Sequence, residues 1–149
     1  MKNGHLFNKI ILMIEFLTII PARKNSKRVK RKNIQLIKKK ELILYSFDHA
    51  IKTNKKINII VNTDDEKIVK LSKKFNLNYL KRPKNLSGDK ISTEKVIKHT
   101  LTTLYGKKYY TKVKNVILLQ PTSPLRTTNN INQAKRKFKR ERYDSLFSG

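Results

Sequence analysis

Cations and small polar side chains gather in two runs of this chain that lie far apart. The first, Ile19-Ile20-Pro21-Ala22-Arg23, leads into Ser26-Lys27-Arg28 and Arg31-Lys32-Asn33. The second is Leu118-Leu119-Gln120-Pro121-Thr122-Ser123-Pro124-Leu125-Arg126. Arginine offers bidentate contact with phosphate oxygens and lysine a mobile point charge. Backbone N–H groups in such a loop can form an anion nest. The second run adds an amide, two hydroxyls and a guanidinium, with prolines that fix φ and deter a helix or ladder from continuing. Each run opens as a short apolar stretch of strand type and ends in a polar loop. In an open α/β sheet, ligands bind where such loops leave the carboxyl ends of neighbouring strands. The pairing suggests a nucleotide site.

The elements that must position these loops alternate between strand and helix. Residues 16–20 read as the first strand, followed by a basic loop over 21–33. Leu42, Tyr45 and Ala50 recur at helical separations within 41–53. A β-rich run covers 58–61. Thr63 or Asp64 then caps a helix with Asp65 and Glu66 in its first turn and Ile68, Leu71 and Phe75 as one apolar stripe. A short strand at 78–80 leads to a loop at 82–89, and Ser92 or Thr93 caps a helix carrying Ile97, Leu101 and Leu104. Residues 116–119 read as a strand buried on both faces. Thr127 or Thr128 caps a last helix from 129 to about 140, and 144–147 looks like a strand beginning. This order predicts an α/β fold, a mostly parallel sheet flanked by helices. No repeat, linker or composition break divides the chain. A sheet stopping at Phe147 would lack elements to cover its far side, so the chain reads as the N-terminal part of a longer domain, with apolar surface left exposed.

Composition alone points elsewhere. A formal net charge of +26 on 149 residues, with pI near 10.4, suits a nucleic-acid binder. Yet the excess is mostly lysine and runs from Lys2 to Lys139 instead of marking one face. Solvated lysine of this kind favours solubility and non-specific, salt-sensitive contact with nucleic acid. With no cysteine, disulfides and thiolate metal sites are excluded. The apolar stretch 10–20 is interrupted by Glu15 and is too short to span a bilayer. His5, His49 and His99 stand beside no nucleophile or metal-ligand pattern, and Asp64-Asp65-Glu66 suits a helix cap better than a metal. Neither G-x-x-x-x-G-K-[ST] nor G-x-G-x-x-G occurs, which argues against a P-loop or dinucleotide fold.

Two further pieces lie between the runs: Asn62-Thr63-Asp64-Asp65 and Arg82-Pro83-Lys84-Asn85-Leu86-Ser87-Gly88-Asp89. Together the four ordered pieces resemble the acylneuraminate cytidylyltransferase family, the CMP-sialic acid synthetases and their relatives acting on other nonulosonic acids. The resemblance runs from about Phe16 to Gly149, and the family's proteins continue well beyond that point. Residues 13–149 then correspond to the N-terminal part of a cytidylyltransferase domain. Met13 is a candidate start, and residues 1–12 are an upstream extension.

The resemblance implies a Rossmann-like nucleotidyltransferase fold and a reaction in which CTP and a sugar acid give a CMP-sugar and pyrophosphate. It places Arg23, Ser26, Lys27, Lys32 and Asn33 around the phosphates and ribose, with Arg23 and Lys32 in the catalytic roles. It assigns cytosine recognition to Arg82, the main chain of Ile91, and Thr93, with Asp89 shaping the loop. Gln120, Thr122, Ser123 and Arg126 fall on the side of the sugar acid. Magnesium is implied, held by carboxylates of the family's C-terminal part, as are a homodimer and a cytoplasmic location. Two departures stand out. Lys24-Asn25 occupies positions where many members have Gly-Gly, and Lys30 replaces a common proline. This portion alone is expected to bind CTP weakly and to turn over poorly. A basic nucleic-acid-binding module and a degenerate, non-catalytic remnant are the alternatives.

Overall fold

The computed structural model describes residues 13–26 and 28–147; the expected extension 1–12 and Lys27 lie outside the described residues. Six strands and four α-helices follow one another. They are β1 (Ile14–Ala22), β2 (Leu36–Ile37), β3 (Lys40–Glu41), α1 (Leu42–Thr53), β4 (Ile59–Thr63), α2 (Glu66–Lys74), β5 (Asn78–Lys81), α3 (Thr93–Tyr105), β6 (Val113–Leu118) and α4 (Thr128–Glu141). Four strands form one parallel sheet in the order β5-β4-β1-β6, while β2 and β3 pair as a separate antiparallel hairpin. The predicted α/β class is the observed one.

Alternation along β1 divides the core. Ile20 and Ala22 face a cluster built with Ile43 and Phe47 of α1, Ile68 of α2 and Ile131 of α4. Leu17 and Ile19 face the opposite side, with Ile60 and Leu101 of α3. Both sheet faces therefore carry helices, as buried parallel strands require. From β1 the chain steps outward to β4 and β5, then returns to add β6 on the other side of β1. That reversal opens a crevice between β1 and β6 at their carboxyl ends.

Pro21 can sit in the central strand because of the same reversal. Ile19 O accepts from Leu119 N at 3.0 Å, so alternate residues of β1 address β6. The register with β6 ends at Ile19↔Leu118, and Pro21, next in that series, has no ladder bond to lose.

Several sequence expectations are corrected. The strand expected to be buried on both faces is β6, which among the described residues lies at a sheet edge with Val116, Ile117 and Leu118 half-buried and Leu119, just past it, buried; β4 is the strand whose residues are all buried. The cap of α2 is Asp65, which accepts from Lys67 N, because Thr63 is still in β4 and its Oγ1 donates to Ala22 O. Of the residues expected to face the core from α3, Leu101 is buried and Ile97 half-buried, but Leu104 is exposed, and Val96 and Thr100 are buried beside Leu101. Residues 144–147 form no strand, and Phe147 is 89% exposed. The hairpin of β2 and β3 was not anticipated. Its turn residues Lys38 and Lys39 hold φ of 47° and 66°, a region that lysine gives little reason to expect.

Candidate functional site

Three loops leaving the carboxyl end of the sheet enclose a cleft of about 220 Å³. The loop after β1 contributes Pro21, Arg23, Lys32 and Asn33, and the loop after β6 contributes Gln120 and Thr122. Between them lies the segment from Arg82 to Thr93, including Gly88, Asp89 and Ile91. Of the twelve residues assigned in advance, Lys27 is outside the described residues. Arg23, Lys32, Asn33, Arg82, Ile91, Thr93, Gln120 and Thr122 line this one cleft, whereas Ser26, Ser123 and Arg126 do not.

The first loop is held at both ends. Asn33, 4% exposed, donates through Nδ2 to Arg23 O at 3.0 Å, which closes the loop on itself. Its Oδ1 is buried without a hydrogen-bond partner in the protein. Arg31 reaches away from the cleft to Asp65, and its left-handed backbone (φ 50°) starts the short turn that aims Lys32 and Asn33 inward. Sequence reasoning gave Arg31 no role, since its carboxylate partner is 34 residues away. Lys32, by contrast, has no ion-pair partner among the described residues. Its ammonium is available to an anion.

Arg23 joins the first loop to the second. Its Nη1 lies 2.7 Å from Asp89 Oδ1 and donates to Gly88 O at 3.3 Å. Ile91 N also donates to Gly88 O at 3.3 Å, closing a turn at the cleft wall. Gly88 needs no unusual backbone there.

Arg82 is 8% exposed, an unusual burial for a guanidinium. Burial pushes its pKa below the ordinary arginine value, while Asp64 opposes that shift. Its Nε donates to Asn62 Oδ1 at 2.7 Å and its Nη2 to Asn62 O at 3.0 Å. Ser92 is the cap of α3 and accepts from Lys95 N, which leaves the Thr93 hydroxyl uninvolved in capping at the mouth of the cleft. The positive end of α3 also opens there.

Arg126 braces the third loop from behind. Its Nη2 donates to Ser46 Oγ at 2.8 Å and to Gln120 O at 2.9 Å, and burial pushes its pKa down. Ser123 N donates to Gln120 O at 3.3 Å, so the Gln120 carbonyl is gripped twice while its side chain lines the cleft. Thr127 forms a capping box with Asn130 and starts α4 directly after this loop.

A second, wider hollow of about 570 Å³ lies beyond the Arg82–Gly88 wall. It carries Lys24, Lys81 and Lys84, and of the predicted site residues it includes Arg82 alone. For magnesium, the carboxylates do not compose a ligand set. Asp89 is tied to Arg23, Asp65 to Arg31 and Lys67 N, and Asp64 to Lys24 N. No group of three His, Asp or Glu residues stands together among the described residues. No helix of the described residues is long and apolar enough to cross a membrane.

What the arrangement can do is hold an anion against Arg23 and Lys32 while a planar polar ring lies against Arg82, Ile91 and Thr93. Known proteins resemble this chain over most of its length. The chain is 33% identical over 135 residues to an N-acylneuraminate cytidylyltransferase of Escherichia coli, covering 90% of this chain and 31% of that protein. It is 34% identical over 133 residues to a pseudaminic acid cytidylyltransferase of Campylobacter jejuni, covering 89% and 56%. The chain thus spans between about a third and just over half the length of these curated relatives. A solved CMP:2-keto-3-deoxy-manno-octonic acid synthetase in complex with CTP matches with a TM-score of 0.66 over 86% of this chain and 48% of that one. At 18% identity it shows the shared fold. The family model for cytidylyltransferases matches residues 17–148, and the chain belongs to that family.

Proposed function

We propose that residues 13–149 are the CTP-binding portion of a cytidylyltransferase that makes a CMP-linked nonulosonic acid. The observation that carries this reading is the convergence of three loops on one cleft, with Arg23 and Lys32 at one wall and Arg82, Ile91 and Thr93 at another. In the reaction, the anomeric hydroxyl of the sugar acid attacks the α-phosphate of CTP. A sugar-oxygen–phosphorus bond forms, the bond to the β-phosphate bridging oxygen breaks, and pyrophosphate leaves. Charge builds on the transferring and departing oxygens, so fixed cations lower the barrier.

Arg23 and Lys32 supply those cations, and Asn33 completes the phosphate and ribose side. Cytosine presents acceptors at its carbonyl and ring nitrogen and a donor at its amino group. Arg82 and Thr93 offer donors to the former, and the Ile91 carbonyl can accept from the latter. Gln120 and Thr122 face the incoming sugar acid, with Ser123 and Arg126 shaping that loop. A magnesium ion would offset the charge of departing pyrophosphate, but the carboxylates here do not form its site. A homodimer and a cytoplasmic setting go with this reading.

Calorimetric titration of the chain with CTP, UTP and a short single-stranded oligonucleotide tests the proposal. CTP binding clearly tighter than UTP binding, weakened in Lys32→Ala and Thr93→Val, supports it. Equal response to both nucleotides, with the oligonucleotide binding at least as well, leaves only the net charge of +26 and overturns the enzyme reading.

A further inference from the structure

Beneath the cleft, buried polar groups of α3 and β4 lead up to Arg82. Thr100, on α3, donates its hydroxyl proton to Val96 O at 2.8 Å. That proton is committed, so toward β4 the Thr100 oxygen can only accept. Asn62, in β4, meets it with Nδ2 as donor at 2.8 Å. The amide orientation is thereby fixed, and Oδ1 must face the other way, where Arg82 Nε donates to it at 2.7 Å. The backbone carbonyl of Asn62 takes a second guanidinium proton, from Nη2, at 3.0 Å. Asn62 and Thr100 are completely buried, so no water competes for these bonds.

We propose that Asn62, oriented by Thr100, is the positioning residue that aims Arg82 at the pyrimidine and so sets the preference for CTP over UTP. This rests on the cytidylyl reading of the cleft given above. A guanidinium has five N–H donors and no acceptor. Asn62 takes two of them, and those remaining lie on Nη1 and Nη2, where Arg82 forms part of the cleft wall. Held in one orientation, that edge presents donors only. Cytosine answers with acceptors at its ring nitrogen N3 and carbonyl O2. Uracil carries a proton on N3, which would meet another donor and leave both unpaired. A guanidinium free to rotate could turn toward the uracil carbonyls, so discrimination depends on the orientation and not only on the charge.

The test pairs Thr100→Val, which keeps the shape and removes the acceptor, with Thr100→Ser, which restores it. Two readouts are taken on the full 149-residue chain. The first is hydrogen exchange at Arg82 Nε–H in the ligand-free protein, followed by nitrogen-15 NMR. The second is the ratio of CTP to UTP affinity. The valine variant should exchange Arg82 Nε–H about tenfold faster and bring the affinity ratio about tenfold closer to one, with the serine variant near wild type. Unchanged exchange and an unchanged ratio in Thr100→Val overturn the inference. If wild type itself shows no CTP preference, the cytidylyl reading fails and the specificity part with it; the exchange arm then decides the positioning role alone. Should the valine variant not fold, wild type still decides. An Arg82 Nε–H that exchanges as fast as that of the exposed Arg140 overturns the proposal.

Discussion

Arg31 and Asp65 lock the cation-bearing loop to the start of α2, with Arg31 Nη2 at 3.1 Å and 3.2 Å from the two carboxylate oxygens. Asp65 is 2% exposed and also caps α2 through Lys67 N. One carboxylate thus ends a helix and anchors the turn that presents Lys32 and Asn33. Arg31→Ala would leave that carboxylate with the cap alone, and because Arg31 is partly exposed the loss should be about 1–2 kcal/mol. Denaturant unfolding measures it, and CTP titration should show weaker binding, although Arg31 lines no part of the cleft. An unchanged affinity would detach the anchor from the site.

Lys32→Ala should separate binding from stability. Lys32 has no ion-pair partner among the described residues, so unfolding midpoints should move by less than about 0.5 kcal/mol. A lost charge-assisted contact to phosphate is worth about 1.5–3 kcal/mol, or roughly tenfold or more in CTP affinity. The remaining binding should also depend less steeply on salt.

Acid should loosen the side of the fold beneath the third loop. Burial, and then the neighbouring Arg126, push His49 below the ordinary imidazole value of 6.5. Above 6.5 the folded and unfolded imidazoles are both neutral. As pH falls below 6.5, the unfolded chain takes up a proton that the folded chain resists. Stability is therefore lost until the folded group protonates too. His49→Gln should flatten this part of the pH–stability profile measured between pH 7 and pH 5. An identical slope in the variant would assign the acid sensitivity to other groups.

Arg126→Ala should free the loop that Gln120 and Thr122 occupy. It removes the bonds to Ser46 Oγ and Gln120 O, and hydrogen exchange at Ser123 N, bonded to the same carbonyl, should quicken. CTP affinity should change less than in Lys32→Ala, because Arg126 lies outside the cleft lining. A larger loss than in Lys32→Ala would mean that Arg126 meets the nucleotide directly.

The turn between β2 and β3 can be improved. Lys38 and Lys39 both hold positive φ, where a side chain costs energy that glycine avoids. Replacing Lys38 by Asn and Lys39 by Gly, the pair such a turn favours, should raise stability by about 0.5–1 kcal/mol. Thermal unfolding of the double variant checks this.

The sequence alone determined the four helices and the four strands of the parallel sheet, and that two Pro-containing loops would carry the polar side chains. These are local properties: apolar spacing along a helix, β-rich runs, and caps such as Ser92 and Thr127 act within a few residues. The order of four motifs also carried the family resemblance. The sequence could not show that β6 lies at the edge of the sheet among the described residues, that Asp65 rather than Thr63 or Asp64 caps α2, or that no strand forms at 144–147. Each depends on which neighbour is present to pair or to cover. Nor could it show that Arg82 rests on Asn62, Asn62 on Thr100, and Arg126 on Ser46, pairs separated by 20, 38 and 80 residues. Only the folded sheet brings those groups within hydrogen-bonding distance, away from water, where a fixed donor or acceptor has one partner and therefore one direction.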